Sequence, residues 1–170
     1  MKHLFPSFTF KDVTAIDKKL FRKKKLLIFD IDNTLFYPES TDIRSDILSW
    51  FKRIQKKYRC ICVSNSHTIR KRKETIEQIL GVPLFLSSWK KPSSRLLAEI
   101  QKVYPFAPEE MLVIGDMRFT DILFGNRHKI PTILVTPLTK DELLSIRIIR
   151  KIENGIVRIV DQVSRKQKFL

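Results

Sequence analysis

The feature that most restricts the fold is an alternation that begins at Lys23. Short apolar runs, each bounded by charge, Gly or Pro, are separated by longer stretches of helical periodicity. Continuous apolar runs too short for helices are what strands buried on both faces look like, and such strands belong to parallel sheets crossed over by helices. The pattern predicts an α/β fold, a Rossmann-like parallel sheet flanked by helices. The candidate strands are Leu26 to Ile31, Cys60 to Ser64, Pro83 to Leu86, Met111 to Gly115 and Thr132 to Thr136. The candidate helices are Asp42 to Lys57, Thr68 to Leu80 with Gly81 as its stop, Ser93 to Val103 with Pro92 at its opening, and Thr120 to His128.

With 170 residues the chain is sized for one domain, 1–170. No apolar run approaches the roughly 18 residues of a membrane-spanning helix. Cys60 and Cys62 sit two apart on one strand face, poorly placed to bridge each other, and a reducing compartment fits. The start carries Phe5, Phe8 and Phe10 around Pro6 without the unbroken apolar stretch of a secretory signal, and reads as mature sequence. Those phenylalanines read as a clip over the sheet, with a membrane wedge as the alternative. Lys and Arg outnumber Asp and Glu by 33 to 18, a net charge of +15, which attracts polyanions: nucleic acid, anionic lipid or phosphorylated substrates. No nucleic-acid-binding motif or base-stacking platform favours the first of these.

A basic amphipathic C-terminal helix is expected at about 141–167, where Leu144, Ile148, Ile152, Ile156, Ile159 and Val163 form a stripe. Arg147, Arg150, Lys151, Arg158, Arg165 and Lys166 lie near it. Two readings stand side by side: a helix packed on the sheet with a solvated basic side, or one lying in a lipid interface.

The chemistry gathers at the strand ends. The apolar run Leu26 to Phe29 leads directly into Asp30-Ile31-Asp32-Asn33-Thr34, so two carboxylates leave the same side of an extended chain. Desolvated together they repel, and a hard divalent ion with oxygen ligands, most plausibly Mg²⁺, relieves them. A capped turn is the bland alternative. Further strands end in Ser64-Asn65-Ser66 and Gly115-Asp116, with Asp121 five residues beyond, and Lys91 precedes Pro92. The carboxyl edge of an open α/β sheet is where ligands bind.

Carboxylate pair, serine, lysine and carboxylates, in that order, resemble the four motifs of the haloacid dehalogenase superfamily, most of whose members are Mg²⁺-dependent phosphatases. The resemblance implies Asp30 as nucleophile and Asp32 as general acid and base. It makes Ser64 and Lys91 phosphate anchors, with Asn65 adding its backbone amide. Metal ligands would be Asp30, Asp116 and the Asp32 backbone carbonyl. Thr34 would brace the loop, and Asp121 would support the metal or the lysine. Helix-sized segments of about 30 residues between Asp32 and Ser64 and about 26 between Ser64 and Lys91 leave no room for a cap domain, so an open site is expected.

A closer resemblance runs through Phe29 to Leu35, Val63 to Ser66, Leu80 to Pro83, Lys91-Pro92, Ile114 to Asp116, Thr120 to Arg127 with its Gly-Asn-Arg tripeptide, and Thr132 to Val135. These segments are similar to the small phosphatidylglycerophosphatase family of bacteria and mitochondria. That implies an anionic phospholipid substrate, phosphatidylglycerophosphate, whose dephosphorylation leads toward cardiolipin. It also implies a cytoplasmic protein held peripherally at a membrane, and no obligate protein partner is evident. Met117-Arg118-Phe119 departs from the usual glutamine and aliphatic residues, as does Trp89-Lys90 before Lys91. Trp89 reads as packed or strand-end, with a lipid anchor as alternative, and His3, His67 and His128 are given no metal or catalytic role. Other readings are a polynucleotide end phosphatase and a non-catalytic membrane- or nucleic-acid-binding module.

Overall fold

The computed structural model describes residues 2–139 and 144–166, the side chains at 2, 145 and 160–166 lying outside that description. Five strands, β1 (Phe8–Phe10), β2 (Leu26–Phe29), β3 (Arg59–Cys62), β4 (Met111–Gly115) and β5 (Thr132–Val135), form one sheet in the order β1-β5-β4-β2-β3. Every pairing is parallel, as the apolar runs predict. Strand β2 lies between β3 and β4, with Ile28 opposite both Ile61 and Val113, and all four of its residues are buried.

Side-chain alternation divides the core in two. Leu27 and Phe29 join the cluster that takes Trp50 and Phe51 from α1 (Ser45–Gln55) and Ile76 and Leu80 from α2 (Ile69–Leu80). Leu26 and Ile28 join the cluster that takes Leu96, Leu97 and Ile100 from α3 (Ser94–Val103) and Phe124 from α4 (Leu123–Arg127). The result is the expected α/β architecture with helices on both faces, and the crossovers among the described residues carry no cap insertion.

Several boundaries differ from expectation for local reasons. The segment 83–86 is no strand: only Leu84 bridges Cys62, because Cys62 donates to the Pro83 carbonyl and accepts from Phe85 on either side of it. Pro92 does not open α3; Ser93 is the N-cap, accepting from the Arg95 N–H, and Pro92 lies one residue further out. The fourth helix begins as a π-helical turn over Arg118–Ile122. Phe8 and Phe10 are an edge strand rather than a clip, and Asn126 of the Gly-Asn-Arg tripeptide secures that end by donating to the His3 and Phe5 carbonyls. Gly81 does end α2, at a φ of 72° that suits glycine.

The last helix, α5 (Leu144–Lys166), packs at the carboxyl edge of the sheet through a face that carries polar as well as apolar groups. Residues 141–143 and 167 of the expected span lie outside the described residues. Its inner face, including Ile146, Ile149, Arg150 and the buried Glu153, turns to the carboxyl edge of the sheet, and Glu153 accepts from the Phe119 N–H at 2.6 Å. Leu144, Ile148, Ile152 and Ile159 point outward, each at least half exposed.

Candidate active site

The strand order places β2 and β4 side by side, and the chain returns to the middle of the sheet between them, so their carboxyl ends open a crevice. Asp30 follows β2 and Asp116 follows β4. The Asp30 N–H donates to the Ile114 carbonyl at 2.8 Å, continuing the ladder and fixing the two carboxylates at one level. Carboxylate oxygens of Asp30, Asp116 and Asp121 lie within 4.8 Å of one another. Gly115 makes this possible, because a Cβ there would overlap the Asp121 carboxyl.

Lys91 reaches into this cluster from the loop before α3. Its ammonium donates to Asp30 Oδ1 at 2.5 Å, Asp121 Oδ1 at 2.6 Å and the Val63 carbonyl at 2.8 Å, so all three donors are used. Burial disfavours the ammonium, but the Asp121 and Asp30 carboxylates outweigh it and hold the pKa above the ordinary lysine value. Asn65 sets the lysine's backbone: Nδ2 donates to the Lys91 carbonyl at 2.8 Å while Oδ1 accepts from the Lys91 N–H at 2.9 Å. The Asn65 side chain is therefore a clamp on Lys91. The other oxygen of Asp121 accepts from the Met117 N–H, so Asp121 serves the lysine and the fourth-motif turn.

Thr34 donates to Asp116 Oδ1 at 3.2 Å. Ser64 donates to Asp32 Oδ2 at 3.3 Å and accepts from the Ser66 N–H. Asp32 also accepts from the Glu39 N–H at 2.8 Å and from both terminal nitrogens of Arg72, at 2.9 and 3.1 Å. Arg72 escapes the sequence reading. Its signal was its place: it occupies the buried face of α2 with Ile69, Ile76 and Leu80, where an unpaired arginine would be untenable. Arg150 was also missed, having been counted with the basic side of the tail. It donates to the Asp116 carbonyl at 2.9 Å and ion-pairs with the Asp116 carboxylate. Of the histidines, His128 is structural, contacting the Phe124 carbonyl and Ser94, whereas His67 stands at the mouth beside Lys90.

Burial is the main influence on the acids. It pushes Asp116 up to about 7 against the pull of Arg150, with the Asp121 charge adding to the rise. It pushes Asp30 well above the usual carboxylate range against the pull of Lys91, with Asp121 and Asp116 adding. Three carboxylates face two side-chain cations, and the strain falls on the two that would ligate a metal. A further cation between Asp30 and Asp116 would relieve it, so the donor set fits a hard divalent ion. The cavity above, of about 440 Å³, is lined by Asp30, Asp32, Ser64, Asp116 and, from α5, Ile146 and Arg150. The expected open mouth is thus walled on one side by the C-terminal helix.

A buried lysine among carboxylates at the switch point of a parallel sheet is a constellation suited to phosphoryl transfer. The family described as "Mitochondrial PGP phosphatase" matches residues 1–138, and the chain belongs to this phosphatase family. It is 28% identical over 166 residues to "Phosphatidylglycerophosphate phosphatase 1, chloroplastic/mitochondrial" of Arabidopsis thaliana, covering 91% of this chain and 47% of that protein. It is 30% identical over 146 residues to "Probable phosphatase YqeG" of Bacillus subtilis, covering 85% and 81%. The chain thus spans about half of the first relative's length and most of the second's. Among solved structures, an uncharacterized protein from Listeria monocytogenes shares the fold, with a TM-score of 0.51 at 16% identity over 70% of this chain and 84% of that one.

Proposed function

We propose that the protein is a Mg²⁺-dependent phosphatase that removes the monoester phosphate of phosphatidylglycerophosphate through an aspartyl-phosphate on Asp30, while held peripherally at an anionic membrane. The supporting observation is the meeting of Asp30, Lys91, Asp116 and Asp121 at one sheet edge in a chain of this family. The relatives named for this substrate support its choice.

In this reading an Asp30 oxygen attacks phosphorus and the bond to the glycerol oxygen breaks. Asp32 gives the departing oxygen its proton, then takes one from the water that attacks the phosphoryl group on Asp30. Cleavage of the acyl phosphate releases inorganic phosphate and restores Asp30. Lys91 neutralises the transferring group from below, Ser64 donates from the side, and Arg72 with the Glu39 N–H fixes the Asp32 carboxyl. A divalent cation held by Asp30, Asp116 and the Asp32 carbonyl would supply Lewis-acid charge neutralisation. Leu144, Ile148, Ile152 and Ile159 on α5 would rest in the interface, with Arg147, Lys151 and Arg158 answering anionic headgroups.

The test is phosphate release from phosphatidylglycerophosphate in mixed micelles. Activity is expected with Mg²⁺, absent with chelator, and at least about 1,000-fold lower in Asp30→Asn. No release by the Mg²⁺-loaded wild type overturns the substrate assignment, and turnover of a 3′-phosphorylated oligonucleotide in its place would redirect it.

A further inference from the structure

A second cavity, of about 360 Å³, lies beside the catalytic one and shares Ser64, Ser66, His67 and Lys90 with it. Its own wall adds Arg70, Ser87, Ser88 and Trp89. Arg70 and Lys90 are both exposed, and among the described residues neither has a carboxylate within ion-pair distance. The Lys90 ammonium instead lies 3.1 Å from His67 Nε2, a contact that supplies no counter-charge. Arg95, outside the lining itself, stacks over the wall residue Trp89, 4.2 Å from the ring centroid. A concave surface with hydroxyl donors and cations lacking counter-ions is built for an anion.

We infer that this cavity is a subsite for a second phosphate of the substrate, a phosphodiester one glycerol unit from the monoester being cleaved. The inference rests on the reading of the catalytic cavity as a phosphomonoesterase site and goes beyond it by assigning what selects the substrate. The shared wall lets one ligand span both cavities: its monoester faces Asp30 and Lys91, while its diester meets Arg70 and Lys90. A phosphomonoester with no second anion leaves Arg70 and Lys90 unused and gains nothing from them.

The test compares water-soluble substrates, which removes any contribution from a membrane. One is the deacylated head group glycerophosphoglycerophosphate, with both phosphates, and the others are sn-glycerol 3-phosphate and p-nitrophenyl phosphate, with one. Wild type is expected to show a kcat/KM roughly tenfold or more higher for the two-phosphate compound than for glycerol phosphate, expressed mainly in KM. In Arg70→Gln and Lys90→Gln that ratio falls toward one, and the double variant abolishes it. The inference is overturned if wild type does not discriminate, or if the variants lower all three substrates in equal proportion. Failure of the underlying reading looks different, since p-nitrophenyl phosphate would then also go unhydrolysed.

Discussion

Asp121 has two tasks that only its exact position reconciles. One oxygen holds Lys91 at 2.6 Å, the other accepts from Met117, and its carboxyl occupies the space that a side chain at position 115 would need. Gly115→Ala is therefore expected to displace Asp121 and with it Lys91, lowering kcat by about 100-fold or more, since misplacement of a phosphate anchor by an ångström is enough. Overpacking should cost about 1–3 kcal/mol of stability, read by denaturant unfolding, so a folded but inactive variant is the expected outcome. A variant with wild-type kcat would mean that Lys91 does not depend on this carboxylate. Asp30, Asp116 and Lys91 were legible in the sequence because each stands where an apolar run stops or a proline follows, and Asp121 by its spacing from Asp116 in the family's fourth motif. Arg72 was not, because one of two arginines in a basic stretch, Arg70 to Lys73, looks solvated until the helix face is known. Asn65 was legible as a site residue, but its partner lies 26 positions away and only the fold brings the two together.

At the scale of elements, four of the five strands could be read to within a few residues because their runs are mostly apolar and, Arg59 at the start of β3 apart, buried. Strand β1 was missed for the opposite reason. Its three residues lie at an edge, two of them exposed, and only its pairing with Ile133 to Val135 makes it a strand. The segment after α2 has strand-like composition yet forms a single bridge. Helix α5 was visible by period, but its docking rests on two polar groups, Arg150 and Glu153, whose partners Asp116 and Phe119 lie 34 residues back. Charge-assisted hydrogen bonds in a partly buried setting are worth about 1.5–3 kcal/mol, so Arg150→Met should speed amide exchange in α5 by roughly 10- to 100-fold. Exchange in β2 and β4 should be unmoved. Wild-type protection of α5 in this variant would show that apolar contacts alone dock the helix.

At the scale of the whole molecule, the proposed peripheral membrane binding would divide between an excess of positive charge and one apolar stripe. The outward face of α5 carries isoleucines that are at least half exposed, flanked by Arg147, Lys151 and Arg158. No described helix is long and apolar enough to cross a membrane. Each basic residue near an anionic surface contributes about 1 kcal/mol and loses it within a Debye length, near 10 Å at 0.1 M salt. Insertion of the isoleucines is salt-independent by comparison. The protein should therefore float more strongly with anionic vesicles at low salt than with neutral ones. Ile148→Ser with Ile152→Ser tests the apolar part: both side chains are half exposed, so the fold should tolerate the change while flotation at 0.5 M salt is lost first. If the double variant floats as wild type does at every salt concentration, the charge alone holds the protein to lipid. In that case the stripe on α5 does not enter the interface.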